Sequence, residues 1–376
     1  MSHITNIMSK YNNDASLYNE LSTKFKLIDN DHAFMLRYLE TKNDNDCIRK
    51  TRGIIVDKKT KKIICYPLEG KLPLHKFKTI VPWNEVVIEE SIDGTLINMY
   101  YHNNKWNYST RSTLDAECFW NCKQSFKELF IETFTQYKVN IDTLNTDFTY
   151  SFVLCHPKTR NVSLYKNPRI YHVLTRDLKT SHEINLHIGI PKPKILKLDE
   201  INNIRCNNYD DIIKYCSKLH FNFEGVMLYS KDRLYRTKVK GKNHIKVKNI
   251  RGNHSNIYYT ILHYLKESSK NKINVLLKYY PEYTDIYSSV IQKLDIIKSE
   301  LLHIYTETKK LKNKEFRYQY KYKKAIKQLH NQYIYLIKSY KPAIHNYKPC
   351  INDRKIKHYL YKEIHIPYVV YLLQTV

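Results

Sequence analysis

Two strand-like stretches set an acid directly before a glycine: Asp93-Gly94 in EESIDGTLI (89–97) and Glu224-Gly225 in FEGVMLYS (223–230). The chain holds only seven glycines, so a glycine on a strand-like stretch marks a strained turn or a close backbone approach. Gly53, in TRGIIVD, is a third. Further on, YRTKVKGKNHIKVK (235–248) alternates Lys238 with Lys240, which a strand points to one side. Two amines on one side suit an anion; a solvated strand face is the plain alternative, as an exposed edge is for Glu224. Arg111, in STRSTLD, adds a cation that a simple turn would also explain. Ser91, two residues before Asp93, offers a hydroxyl, a poor nucleophile at neutral pH without a positioned base. Cys155 and His156 are adjacent, but no third group orients them as a catalytic pair.

The order of these stretches carries more than any one of them. SIDGTLI, STRSTLD, SFVLCHPKTRNVSLY (151–165), FEGVMLY and YRTKVK succeed one another on strand-like segments. This succession resembles the RNA ligase branch of the covalent nucleotidyltransferases, a superfamily that also holds DNA ligases and mRNA capping enzymes. It is similar, too, to RNA-ligase-like proteins of large cytoplasmic DNA viruses. The resemblance covers residues 50–250 and, more weakly, the tail. It implies ATP and Mg2+ as cofactors, RNA as partner, and a lysine that attacks the α-phosphate of ATP.

Carried over by position, Asp93 and Gly94 match the first motif, Arg111 the next, and Phe152 the aromatic that faces adenine. Arg160 matches the basic residue closing that segment, and Arg52 an R-G arginine upstream. Glu224 with Gly225 matches the carboxylate motif that can hold a divalent metal, and Lys238 and Lys240 the final lysine pair. Nucleotide contacts are thus expected at Asp93, Gly94, Phe152, Glu224, Lys238 and Lys240. Phosphate or nucleic-acid contacts are expected at Arg52, Arg111, Arg160, Lys242 and Lys246. Two departures fall where the chemistry is done: Ser91 stands in place of the nucleophilic lysine, and Val153 in place of a glutamate. The resemblance with these losses implies a ligase-fold protein that binds nucleic acid, and possibly ATP, without a covalent step. Two alternatives stand beside it. One is an active ligase drawing its lysine from elsewhere, such as Lys76 or Lys78; the other is a viral structural or scaffolding protein on the same fold.

The elements that must position these residues follow from periodicity. TRGIIVD and KKIICYP flank a Lys-rich turn, as a hairpin does; EVVIEE, TLINMYY and KWNYSTR follow, with Asp93-Gly94 and Asn103-Asn104 as turns. Phe119, Cys122, Phe126, Phe130 and Phe134 recur at three and four residues, predicting a helix over 115–138 that also sets Cys118 one turn from Cys122. Strand character returns at FTYSFVL, RIYHVLTRD, EGVMLYS and YRTKVK. Beyond about residue 254 the pattern is helical, with stripes through Ile291, Leu294, Ile297, Leu301, Ile304 and Leu311 and through Tyr322, Ile326, Leu329, Tyr333 and Leu336. The expected fold is α+β: an N-terminal segment (1–50) packing on the core, then a nucleotidyltransferase domain (51–250) with antiparallel, ATP-grasp-like ligase sheets. An all-α basic domain (251–376) ends the chain.

Composition agrees with a nucleic-acid partner. The 376 residues carry 63 Lys+Arg against 36 Asp+Glu, a net charge of +27, and a polyanion relieves such self-repulsion. Residues 251–376 alone hold 23 Lys+Arg and 9 Asp+Glu. An A+T-rich coding bias would also raise Lys, Asn, Ile and Tyr. No apolar run reaches the length of a membrane span. The eight cysteines lack pairing rhythm or zinc-site spacing and read as free thiols of a reducing cytoplasm, that of a virus-infected cell by resemblance.

Overall fold

The computed structural model describes residues 19–23, 25–38, 49–196, 206–340 and 349–375. Most of the expected 1–50 segment, including residues 1–18 and 39–48, lies outside the described residues. The chain divides into two compact units, Met1–Asn249 and Ile250–Val376.

The first unit is α+β, built on three antiparallel sheets. Strands β1 (Phe25–Asp29), β2 (Ala33–Tyr38), β3 (Ile55–Asp57) and β4 (Ile63–Cys65) form one sheet in chain order. Next come β5 (Val86–Glu90), β6 (Thr95–His102), β7 (Lys105–Ser109), β8 (Phe148–Cys155), β9 (Arg169–Asp177) and β10 (Glu183–Ile184). The last two strands are β11 (Gly225–Ser230) and β12 (Arg236–Lys240). A five-stranded sheet runs β10-β9-β8-β6-β7 and a three-stranded one β12-β11-β5. Asn103 and Asn104 both adopt positive φ (52° and 58°) between β6 and β7, the backbone that a two-residue hairpin turn requires.

The five-stranded sheet buries Ile97, Met99, Tyr150 and Phe152 against Leu129, Phe130 and Phe134 of the helix Phe126–Thr135. This helix is shorter than the 115–138 span its periodicity predicts. A capping box starts it: the Ser125 hydroxyl accepts from Glu128 N–H, and the Glu128 carboxylate accepts from Ser125 N–H. Phe119 bridges to Ser125 as a short β-contact outside the helix, so Cys118 and Cys122 do not sit on successive helical turns.

The regular elements of the second unit are all helices among the described residues. The helix Thr284–Tyr305 buries Leu294, Ile297, Leu301 and Ile304, and Lys323–Ser339 buries Ala325, Ile326 and Leu329. Leu311 departs from its expected stripe: the helix widens to π geometry over Thr306–Lys310, and Leu311 stands exposed beyond it. No helix among the described residues is long and apolar enough to cross a membrane.

Gly225 opens β11 at φ +133°, and a Cβ there would lie 2.0 Å from the Val239 carbonyl oxygen. Gly225→Ala is expected to cost at least about 2 kcal/mol through strain and separation of β11 from β12. Urea unfolding of the full chain measures this; an unchanged midpoint contradicts the close approach.

Candidate functional site

The three-stranded sheet is extended at one end by backbone bonds from Ser91 N–H to the Gly225 carbonyl (3.0 Å) and from Gly241 N–H to the Glu224 carbonyl (2.9 Å). Its register pairs Gly225 with Lys240 and Met227 with Lys238. Alternation along β12 then places Lys238 and Lys240 on one face, beside Glu224. The Glu224 carboxylate accepts from the Ser91 hydroxyl (2.7 Å) and Lys238 Nζ (2.7 Å), and pairs with Lys240 Nζ at 3.0 Å. Four residues, from three stretches far apart in sequence, thus meet on one buried carboxylate.

Burial would raise the Glu224 pKa. The charges of Lys238 and Lys240, with hydrogen bonds from Lys238 and Ser91, instead hold it well below the usual carboxylate range. Lys238 is shifted down: burial outweighs the pull of Glu224, and Lys240 and Arg111 push the same way. Lys71, exposed to solvent at the same cluster, is pulled down to about 8 by crowding of its amine, then by Lys238 and Lys240.

Asp93 does different work. Its carboxylate is buried and accepts from Asn161 Nδ2 (2.8 Å) and the backbone N–H groups of Val162 (2.9 Å) and Ser163 (2.8 Å). Its carbonyl accepts from the Tyr165 hydroxyl at 3.0 Å. Asp93 therefore latches the 160–165 loop onto the turn that carries Ser91. Gly94 allows that turn to lie on β8, where a Cβ would meet the Leu154 carbonyl oxygen at 2.5 Å.

These groups line a cavity of about 510 Å3, with Arg52, Lys71, Glu89, Arg111 and Val153 among its walls. That volume is within the range of small-molecule sites. Of the expected site residues, Arg52, Asp93, Gly94, Arg111, Glu224, Lys238 and Lys240 come together here. Phe152 does not: it is wholly buried against Phe130, Phe134 and His172. Neighbouring residues on a strand face opposite sides, and it is Val153 that reaches the cavity. Arg160 is buried too, with Nε donating to the Val162 carbonyl at 3.0 Å. Lys242 and Lys246 are exposed on the helix Lys242–Arg251 and do not line the cavity, whereas Lys248 does. Lys76 and Lys78 are outside it, and Lys78 pairs with Asp210 at 3.0 Å. His156 Nδ1 accepts the Lys158 N–H, and burial pushes the Cys155 thiol up to about 12, so neither is poised for nucleophilic work.

One residue that periodicity did not single out completes the site. Asp93, Glu224 and His244 each bring a donor atom within 4.8 Å of the others. His244 Nδ1 lies 3.0 Å from the Phe221 carbonyl, which can only accept, so Nδ1 carries the proton. Nε2 is left with its lone pair, buried and without a hydrogen-bond partner. This set fits a divalent cation, with oxygen from Asp93 and Glu224 and nitrogen from His244. The signal in sequence was faint: a histidine three residues past Gly241 in a lysine-rich run.

No family model matches the chain. Over 294 residues it is 22% identical to the immediate-early protein ICP-46 homolog of Invertebrate iridescent virus 3, an alignment covering 72% of this chain and 62% of that protein. The chain thus spans less than two thirds of that relative's length. Among solved structures it is similar to an archaeal ATP-dependent RNA ligase, with TM-score 0.44 and 10% identity over 77% of this chain and 76% of that one. It is also similar to Naegleria gruberi RNA ligase with PPi, with TM-score 0.35 and 11% identity over 46% of this chain and 56% of that one.

Because the Glu224 pKa falls on folding, its contribution to stability is present above the unfolded value near 4.5 and is lost as pH drops toward the folded value. Glu224→Gln is expected to destabilise the chain by on the order of 3 kcal/mol at neutral pH, leaving two crowded ammonium groups. It should also flatten the loss of stability as pH falls below about 5. Denaturant titrations across that range measure both; an acid limb as steep as that of the parent chain contradicts the pairing.

Proposed function

We propose that the first unit binds a nucleoside triphosphate, as its magnesium salt, with the phosphates on Lys238, Lys240 and Arg111. We further propose that the chain binds nucleic acid, RNA foremost, without forming a covalent adduct on Ser91. The observation that carries this reading is the Glu224 cluster. One carboxylate faces two ammonium groups at 2.7 and 3.0 Å, so the pair keeps a positive charge at the cavity wall that a phosphate oxygen can satisfy. In this reading Asp93 and Glu224, beside His244, would hold Mg2+, which would supply charge neutralisation of the phosphates.

The same cluster argues against Ser91 as nucleophile. A serine needs a base to take its proton. Glu224 is in position, 2.7 Å away, but a carboxylate held so far below its usual range is too weak a base for the task. The nucleic-acid part of the reading rests on the charge of +27 and the basic second unit.

A second reading is favoured by one specific residue. Lys71 lines the cavity with Ser91, and no hydrogen bond or ion pair engages its side chain among the described residues. Its neighbours Gly70 and Leu72 are fixed by N–H bonds of 2.8 Å to the Arg49 and Arg236 carbonyls. An amine crowded by protein and by other cations is the usual form of an activated lysine. On this reading Lys71, once neutral, attacks the α-phosphorus. The N–P bond forms, the bond to the pyrophosphate oxygen breaks, and the amine proton passes to solvent.

One experiment separates the readings. The full chain is titrated with ATP and Mg2+, then incubated with α-labelled ATP. Saturable binding is expected, weakened about tenfold or more in Lys238→Ala/Lys240→Ala. Covalent label, if formed, should be acid-labile, unaffected by Ser91→Ala and absent in Lys71→Arg. Its formation should rise as pH passes about 8 from below, since the amine must shed its proton among Lys238, Lys240, Glu224 and Arg111. Acid-stable label lost in Ser91→Ala would overturn the account of Ser91; absence of ATP binding would overturn the whole.

A further inference from the structure

In the second unit, the helices Thr284–Tyr305 and Lys323–Ser339 are joined by a strap with little regular structure. A π turn covers Thr306–Lys310, no regular element covers 311–319, and a 3-10 turn follows at Tyr320–Tyr322. Nine of the 19 residues from 309 to 327 are Lys or Arg, and Glu315 is the one acid among them. Lys312, Lys314, Arg317, Lys323 and Lys324 are exposed, and no ion pair engages them among the described residues. Arg317 donates to the Lys314 carbonyl at 2.6 Å, a bond that leaves its charge uncompensated. Cations this dense repel one another, and a polyanion relieves the repulsion.

The same strap carries aromatic rings at alternate positions, Phe316, Tyr318 and Tyr320. The Phe316 and Tyr318 rings are close to parallel, with centroids 6.5 Å apart. Tyr318 is exposed, Tyr320 is 81% exposed, and Lys323 Nζ sits 5.3 Å from the Tyr320 ring centroid. Rings and cations are therefore offered to solvent together. The strap is nevertheless held at several points. Phe316 packs edge-on against His303, with ring centroids 5.2 Å apart, and the buried Tyr322 donates its hydroxyl to Glu300. Lys321 Nζ donates to the Thr375 carbonyl at 3.0 Å. A platform fixed before its ligand arrives lowers the ordering cost of binding.

We infer that this strap binds single-stranded nucleic acid, with bases stacked on Tyr318 and Tyr320 and phosphates set against Lys312, Lys314 and Arg317. The inference rests on the nucleic-acid part of the proposed function and adds where the strand lies and what is read. Stacking and backbone charge tolerate any sequence, because every base has a π-face. A single strand fits better than a duplex, whose bases turn their faces to one another. It also fits better than an anionic membrane. A membrane anchor separates apolar and basic residues onto opposite faces of a helix, whereas here rings and cations interleave on non-helical backbone.

The test is equilibrium binding of the full chain, over a salt series, to an oligouridine strand, an RNA duplex of equal length and phosphatidylserine vesicles. The strand is expected to bind most tightly. Tyr318→Ala/Tyr320→Ala should weaken strand binding by about tenfold or more with its salt slope unchanged. Tyr318→Phe/Tyr320→Phe, which keeps both rings, should bind as the parent does. Lys312→Gln/Lys314→Gln should instead lower the slope of log K against log salt by about 1.4, for two lost phosphate contacts. Strand affinity unchanged in the alanine variant, equal affinity for the duplex, or a loss confined to the vesicles overturns the inference. The parent chain separates the two failures. Strand binding that the alanine and glutamine variants both retain removes only the strap, while no oligonucleotide binding even at low salt removes the nucleic-acid reading beneath it.

Discussion

A single buried carboxylate organises the first unit. Glu224 receives a hydroxyl and two ammonium groups, and each comes from an element whose place is fixed by backbone pairing rather than by the side chain. If Glu224 were absent, Lys238 and Lys240 would repel each other in a site that already depresses the pKa of Lys238 by burial. With it present, the cluster is cationic by one charge and cannot serve as a strong base. That balance leaves a net positive charge on the cavity wall beside Ser91.

The geometry depends on two glycines and on one acid that also holds a loop in place. Gly225 lets β11 approach β12 so closely that any Cβ would collide with the Val239 carbonyl, and Gly94 does the same for the turn against β8. Asp93 spends its carboxylate on Asn161, Val162 and Ser163, holding the loop across from Glu224. The carboxylate motifs are therefore unequal: one builds the site and the other faces into it.

Much of this was legible in the sequence because the signals were local. The Lys238/Lys240 alternation, the Asp93-Gly94 turn and the Glu224-Gly225 junction are written in adjacent residues, and strand pairing brings them together. What was not legible depended on long-range packing. Phe152 follows its strand's alternation into the core, a direction set by the helix Phe126–Thr135 packed on that side. Arg160 is drawn inward by its own turn. Lys71 gave no motif at all, since its character comes from neighbours distant in sequence. His244 was hidden because a lone histidine in a basic run carries no spacing signal. The 115–138 helix was overextended because an apolar repeat cannot show where a capping serine begins the helix.

The claim at the centre is that nucleotide phosphates take the place opposite Lys238 and Lys240 while Ser91 stays on Glu224. A crystal structure of the full chain grown with Mg2+ and ATP tests it most directly. Phosphate oxygens within hydrogen-bond distance of both lysines, with the Ser91 hydroxyl still donating to Glu224, are the predicted result. Nucleotide bound elsewhere with the Glu224 pairs untouched, or a bond between Ser91 Oγ and phosphorus, would contradict the account.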